Sequence, residues 1–203
     1  VEFEPTMMLE IKDKIAKGGF FMDYRSYKAK SENSAADSFT LSDKFPATDV
    51  CSLYAVMQRN NYADAAAKAV ADKFNYLSGR DSADDGTGDA LHPAWSFTVG
   101  QDVFPKKDVE TFTQARAELD KSMAHFGNIQ RGNVPFSEFC GTKYVIGVNL
   151  ENDPVSSYTG RSTKASQADL NLKNLSAYNK TITMFMLYTK AINILPSGVV
   201  VYK

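Results

Sequence analysis

Residues 181–188 read TITMFMLY and residues 191–195 follow as AINIL. Tyr144–Leu150 (YVIGVNL) and Ala168–Leu172 (ADLNL) precede them, so from Gly141 onward the chain is almost wholly of extended type. Side chains branched at Cβ, and aromatic ones, suit a pleated surface better than a helical turn. Gly, Pro, Asn and Ser separate the runs, as at Ser197-Gly198, which predicts a turn into a last strand at Val199–Tyr202. Thr181–Tyr188 and Ala191–Leu195 are expected as two separate strands of the final hairpin. Several short strands divided by turn residues predict a β-sandwich.

Upstream the same reasoning continues. Trp95–Val99 (WSFTV) alternates with period two and predicts a half-buried strand. Val50–Gln58 (VCSLYAVMQ) is bounded by Pro46 and Asn60-Asn61 and is expected as a strand, with a shorter one at Phe39–Leu41. Phe20–Tyr27 is an aromatic strand following Gly18-Gly19, and Lys28–Asp37 is expected as a polar loop. Val1–Pro5 alternates like a strand already under way, from which the chain is expected to be part of a longer polypeptide.

Three stretches have helical spacing instead. In Val109–Phe126 an apolar stripe runs through Phe112, Ala115, Leu119, Met123 and Phe126, with Asp108 as the expected cap, Glu110 in the first turn and Gly127 as the stop. Thr6–Lys17 carries Met8, Ile11 and Ile15. Asn61–Leu77 places Tyr62, Ala66, Val70, Phe74 and Leu77 on one face. The fold class expected is mainly β: one antiparallel sandwich over residues 1–203 with one or two inserted α-helices, notably about 109–126.

Composition narrows the function. The 203 residues are 43% apolar and 12% aromatic, enough for one sizeable core. Lys and Arg number 23 against 24 Asp and Glu, a formal net charge of −1. A free-standing nucleic-acid binder concentrates basic charge on a face or an arm, so direct nucleic-acid binding is not expected. The apolar runs are too short for a helical membrane span.

Reactive chemistry is sparse. His92 and His125 are the two histidines, and neither has a second His or a Cys at ligand spacing. No Gly-x-Ser-x-Gly elbow or phosphate loop occurs. Cys51 and Cys140 stand far apart and are expected as buried free thiols, with a single disulfide as the other reading. The loop Ser78–Asp89 (SGRDSADDGTGD) partly mimics a calcium loop. Ala83 takes the third ligand position, and His92 stands where the bidentate Glu belongs. Asp81, Asp84, Asp85 and Asp89 are therefore candidate ligands of a weakly held calcium ion, against the plainer reading of a solvated acidic loop. No catalytic residue, metal centre or cofactor site is otherwise assigned. Asn174-Leu175-Ser176 and Asn179-Lys180-Thr181 are glycosylation sequons, and Lys106-Lys107 is a basic pair ahead of the expected helix.

Several segments, in order, resemble the C-terminal jelly roll of the double jelly-roll major capsid proteins of double-stranded DNA viruses, the adenovirus-like, virophage and Polinton-like lineage. Glu10–Tyr27 (EIKDKIAKGGFFMDYRSY) gives an amphipathic lead-in, a Gly turn and an aromatic strand. Trp95–Phe126 gives a strand ending in Gly100, the pair Phe104-Pro105, then a helix. Phe139–Leu150 (FCGTKYVIGVNL), the Tyr158–Thr163 loop, Ala168–Leu172 and Thr181–Leu195 resemble the tail. Where that tail carries an acidic motif, this chain has Leu187-Tyr188-Thr189-Lys190.

The resemblance implies a structural, non-enzymatic jelly roll in the virion capsid. It also implies an upstream jelly roll in the same polypeptide, homotrimeric capsomers that tile an icosahedral shell, and contacts with neighbouring capsomers and with penton or minor capsid proteins. Two other classes are carried beside it. One is a carbohydrate- or receptor-binding sandwich that stacks sugars on Trp95 and tyrosines, although the alternation at Trp95 favours the core. The other is a metalloenzyme on the same scaffold, for which two isolated histidines are too few.

Overall fold

β-Branched and aromatic runs become nine strands in a computed structural model that describes residues 5–59, 93–123, 134–141, 143–151, 160–175 and 179–202. The strands are β1 (Phe20–Ser34), β2 (Phe39–Asp43), β3 (Val50–Arg59), β4 (Ala94–Val99), β5 (Asp102–Val109), β6 (Ile146–Asn149), β7 (Ala168–Lys173), β8 (Lys180–Leu195) and β9 (Gly198–Tyr202). The helices are α1 (Pro5–Ala16), α2 (Phe112–Ser122) and α3 (Phe136–Gly141).

One sheet has the order β1-β8-β3-β6, with β9 added to β8; the other has the order β2-β7-β4-β5. Every pairing is antiparallel. Among these, β1 pairs β8, β2 pairs β7, β3 pairs β6 and β4 pairs β5. Each strand thus meets its mirror image in the chain order, as in one long ribbon wrapped so that successive pairs alternate between two sheets. This is a jelly roll. Its core lies between the sheets, where Leu53, Ile182, Met184 and Met186 from the first sheet share one cluster with Leu41, Trp95, Phe97 and Leu170 from the second. Each such side chain contributes about 1.5–3 kcal/mol by leaving water, and the alternation of β8 from Lys180 to Tyr188 fixes the register, because a one-residue slip would turn Ile182, Met184 and Met186 outward.

The expected elements hold in kind and shift in extent. Lys28–Asp37 is not a loop, since β1 runs on to Ser34 with its partner β8 alongside as far as Lys180. An edge strand with one face in water accepts polar residues at alternate positions, and here they are used. Lys28 Nζ donates to Asp43 Oδ1 at 3.0 Å and Lys30 Nζ to Ser42 O at 2.6 Å, tying the first sheet to β2 of the second. Thr181–Leu195 is not a hairpin either. Thr189 and Lys190 continue a single 16-residue strand, and the hairpin follows it, between Leu195 and Gly198.

The helix expected at 109–126 begins later. Val109 ends β5, Thr111 is the cap, and its hydroxyl accepts the Gln114 N–H at 3.2 Å. The Gln114 side chain in turn accepts the Glu110 N–H at 3.1 Å, a variant of the capping box. Asp108 is unavailable for that task, its carboxylate being held by Lys173 at 2.7 Å. Trp95–Val99 is more than half-buried: Ala94, Trp95, Ser96 and Phe97 are all buried, on both faces of the strand. Phe139 and Cys140 belong to α3, so the strand that follows is only Ile146–Asn149. α1 falls where Thr6–Lys17 predicts it. The expected strand at 1–5 and helix at 61–77 lie at or beyond the limits of the described residues.

Candidate assembly surface

One side of the molecule is built around aromatic residues. The Trp95 indole N–H of β4 donates to the Tyr144 hydroxyl at 3.1 Å, and Phe112 of α2 and Phe139 of α3 pack on the Tyr144 ring with centroids at 5.6 Å and 5.2 Å. α2 lies on the outer face of β3 and β6. There the Tyr54 hydroxyl donates to Ser122 O at 2.8 Å, and Gly147 leaves room for the helix: a Cβ on it would meet Ser122 Oγ at 2.7 Å and Leu119 Cδ1 at 2.9 Å.

A buried polar cluster stands at the other end of β3. The Cys51 thiol lies 3.3 Å from the Thr189 hydroxyl, and burial pushes its pKa up to about 12, so it is no nucleophile at neutral pH. Arg25 of β1 reaches Glu151 at 3.0 Å, a carboxylate almost entirely buried.

The opposite character appears where β1 begins. β3 leaves β8 at Tyr188, and from Ala191 onward β9 takes its place, so β1, β8 and β9 run on as a three-stranded extension. Phe21 is 55% exposed and Met22 43% exposed. Neighbouring residues on a strand point to opposite faces, so both faces of the extension are open at this end. α1, joined through Gly18-Gly19 and packed against β1 and β8, adds Met7, Met8 and Leu9, the last 66% exposed. Apolar groups concentrated this way on a water-facing surface mark a contact site. Its signal in the sequence is a break in periodicity. Three successive apolar residues in a strand (Phe20-Phe21-Met22), or in a helix (Met7-Met8-Leu9), cannot all face one core.

The other sequence-derived candidates separate cleanly. Asp81, Asp84, Asp85 and Asp89 lie outside the described residues, as do His92 and His125. Among the described residues no three His, Cys, Asp or Glu side chains converge as a metal site. Cys51 and Cys140 are both free, Cys51 buried and Cys140 partly so. Trp95 is fully buried and cannot stack on a sugar, which corrects that expectation. Asn174 and Asn179 of the two sequons are exposed. Lys106 and Lys107 are exposed on β5, and the helix that follows them starts only at Phe112. No described helix is long and apolar enough to cross a membrane.

The strand order and the helices inserted between β5 and β6 define a jelly roll with a helical insertion. No family model and no curated protein matches the sequence, whereas solved structures match the fold. The chain is similar to the Faustovirus major capsid protein, with a TM-score of 0.55 and 11% identity over 93% of this chain and 36% of that one. It is also similar to PBCV-1 VP54, as fitted into a reconstruction of the virophage Sputnik, with a TM-score of 0.50 and 7% identity over 91% of this chain and 52% of that one. The chain therefore spans about half or less of the solved chains it matches.

Proposed function

We propose that this chain is a structural jelly roll of a viral major capsid protein, without enzymatic activity, residing in the virion shell. The observation that carries the reading is the wrapped-ribbon topology, shared over almost the whole chain with the Faustovirus major capsid protein. In the finer form of the proposal the jelly roll stands beside a second, upstream one in the same polypeptide. Three copies then form a capsomer, and capsomers tile an icosahedral shell with penton or minor capsid proteins at special positions.

Physical features support a mating surface. Interfaces between subunits place apolar and aromatic groups at their centre, and Phe21, Met22, Met7 and Leu9 supply such groups together at one end of the sandwich. The near-zero net charge lets copies approach one another without strong repulsion. The sugar-binding alternative loses its best residue with the burial of Trp95.

Light scattering coupled to size exclusion at high protein concentration tests the proposal. Trimers or larger closed assemblies are expected, and a strictly monomeric particle at every concentration would overturn it.

A further inference from the structure

One end of the sandwich carries a cleft of about 600 Å³ where β2 leads to β3, β4 turns into β5, and the chain enters β7. Its walls are fixed by hydrogen bonds. The buried Thr163 donates its N–H to Ala47 O at 2.8 Å and its hydroxyl to Phe45 O at 2.6 Å, locking the 160–167 segment to the 44–49 segment. Gly160 N–H donates to Asp49 Oδ1 at 2.7 Å, and Gly100 N–H to Gln167 O at 3.2 Å. The cleft is thus formed before any ligand arrives, which limits the ordering cost of binding.

Each locked segment contributes one exposed lysine, Lys44 from one and Lys164 from the other. Neither makes an ion pair among the described residues. Of the carboxylates on neighbouring elements, Asp43 is held by Lys28 and Asp102 by Lys106 and Arg161, while Asp169, on the outer face of the second sheet, accepts from the Gln167 amide through one oxygen only. Lys44 and Lys164 line the cleft together with Pro46, Ala165 and Ser166, and the Ser166 hydroxyl has no hydrogen-bond partner among the described residues. Donors without acceptors in a preformed concavity call for an anion with several oxygens.

We propose that this cleft binds a phosphate group, either as inorganic phosphate or as the phosphate of a small ester or lipid headgroup. Lys44 and Lys164 supply the charge and Ser166 a directional donor. The proposal does not rest on the shell reading, because it concerns the intact chain in any state of assembly.

Titrating the chain with inorganic phosphate at constant ionic strength, followed by amide NMR, tests it. Saturable shifts are expected at Gly100 and at Lys164–Gln167. Lys44→Gln combined with Lys164→Gln should weaken binding about tenfold or more, whereas Lys12→Gln with Lys14→Gln on α1, which removes the same charge, should leave it unchanged. Flotation with phosphatidylcholine vesicles, with and without phosphatidylglycerol, separates the sources. Capture that needs phosphatidylglycerol and both cleft lysines identifies a headgroup, and phosphate binding without capture identifies a soluble ligand. Absence of saturable shifts at the cleft, or equal weakening by the α1 control, would overturn the proposal.

Discussion

The indole N–H of Trp95 and the hydroxyl of Tyr144 share a hydrogen bond of 3.1 Å with both side chains fully buried, joining β4 of one sheet to the segment that enters β6 of the other. Burial drives the Tyr144 phenol pKa well up, because the phenolate would lose its hydration there.

Removing one partner of that bond strands the other without water. Tyr144→Phe should therefore lower unfolding free energy by about 1–3 kcal/mol. Trp95→Phe should cost more, through lost volume as well, and the double variant less than the sum of the two. Urea unfolding of the four proteins checks this, and strict additivity would show that the bond is energetically idle.

Alkaline pH should destabilise the fold earlier than tyrosine ionisation explains. An unfolded cysteine titrates near 8.5 and tyrosine near 10. Folded Cys51 keeps its proton to about 12, because burial outweighs the hydrogen bond to Thr189 that pulls the other way. Between those values the unfolded chain binds fewer protons, so stability falls as pH rises from about 9, by at most about 1.4 kcal/mol per pH unit for this thiol. Cys51→Ala should flatten the loss between pH 9 and 10, measured as the change in urea midpoint. An unchanged slope would assign the loss to other groups, Cys140 among them, whose thiol burial also pushes up.

Gly147 should tolerate no side chain. With Ser122 Oγ and Leu119 Cδ1 of α2 already under 3.0 Å from the place a Cβ would take, Gly147→Ala must push these buried side chains out of their present positions. Overpacking of this kind costs about 1–3 kcal/mol. Leu119→Ala made in the same chain should recover part of it, read from the thermal midpoints.

The open end of β1 should matter for association and little for folding. Leu9→Glu with Phe21→Glu replaces exposed groups, so stability should change by no more than about 0.5 kcal/mol per site. Self-association measured by sedimentation velocity should fall sharply. If the double variant assembles as the parent does, the mating surface lies elsewhere.

Local residue choice determined much of this protein. Period-two alternation fixed the inward face of β8 and located β7, and the β-branched and aromatic runs located β3 and β4 nearly to their ends. The spacing of Met8, Ile11 and Ile15 placed α1. Lys28–Ser34 and Thr189-Lys190 could not be read that way, because their extended form comes from hydrogen bonds to strands more than a hundred residues distant in sequence. The start of α2 was equally hidden: Asp108 is a good cap by type, and only the arrival of Lys173 from β7 withdraws it in favour of Thr111. The cleft joins three separated segments, none of which carries a motif, so its existence is a property of the wrapped ribbon alone. Short-range preferences act along the chain and are written in it; partner choice between distant strands depends on which apolar faces can be buried together, and only the folded whole decides that.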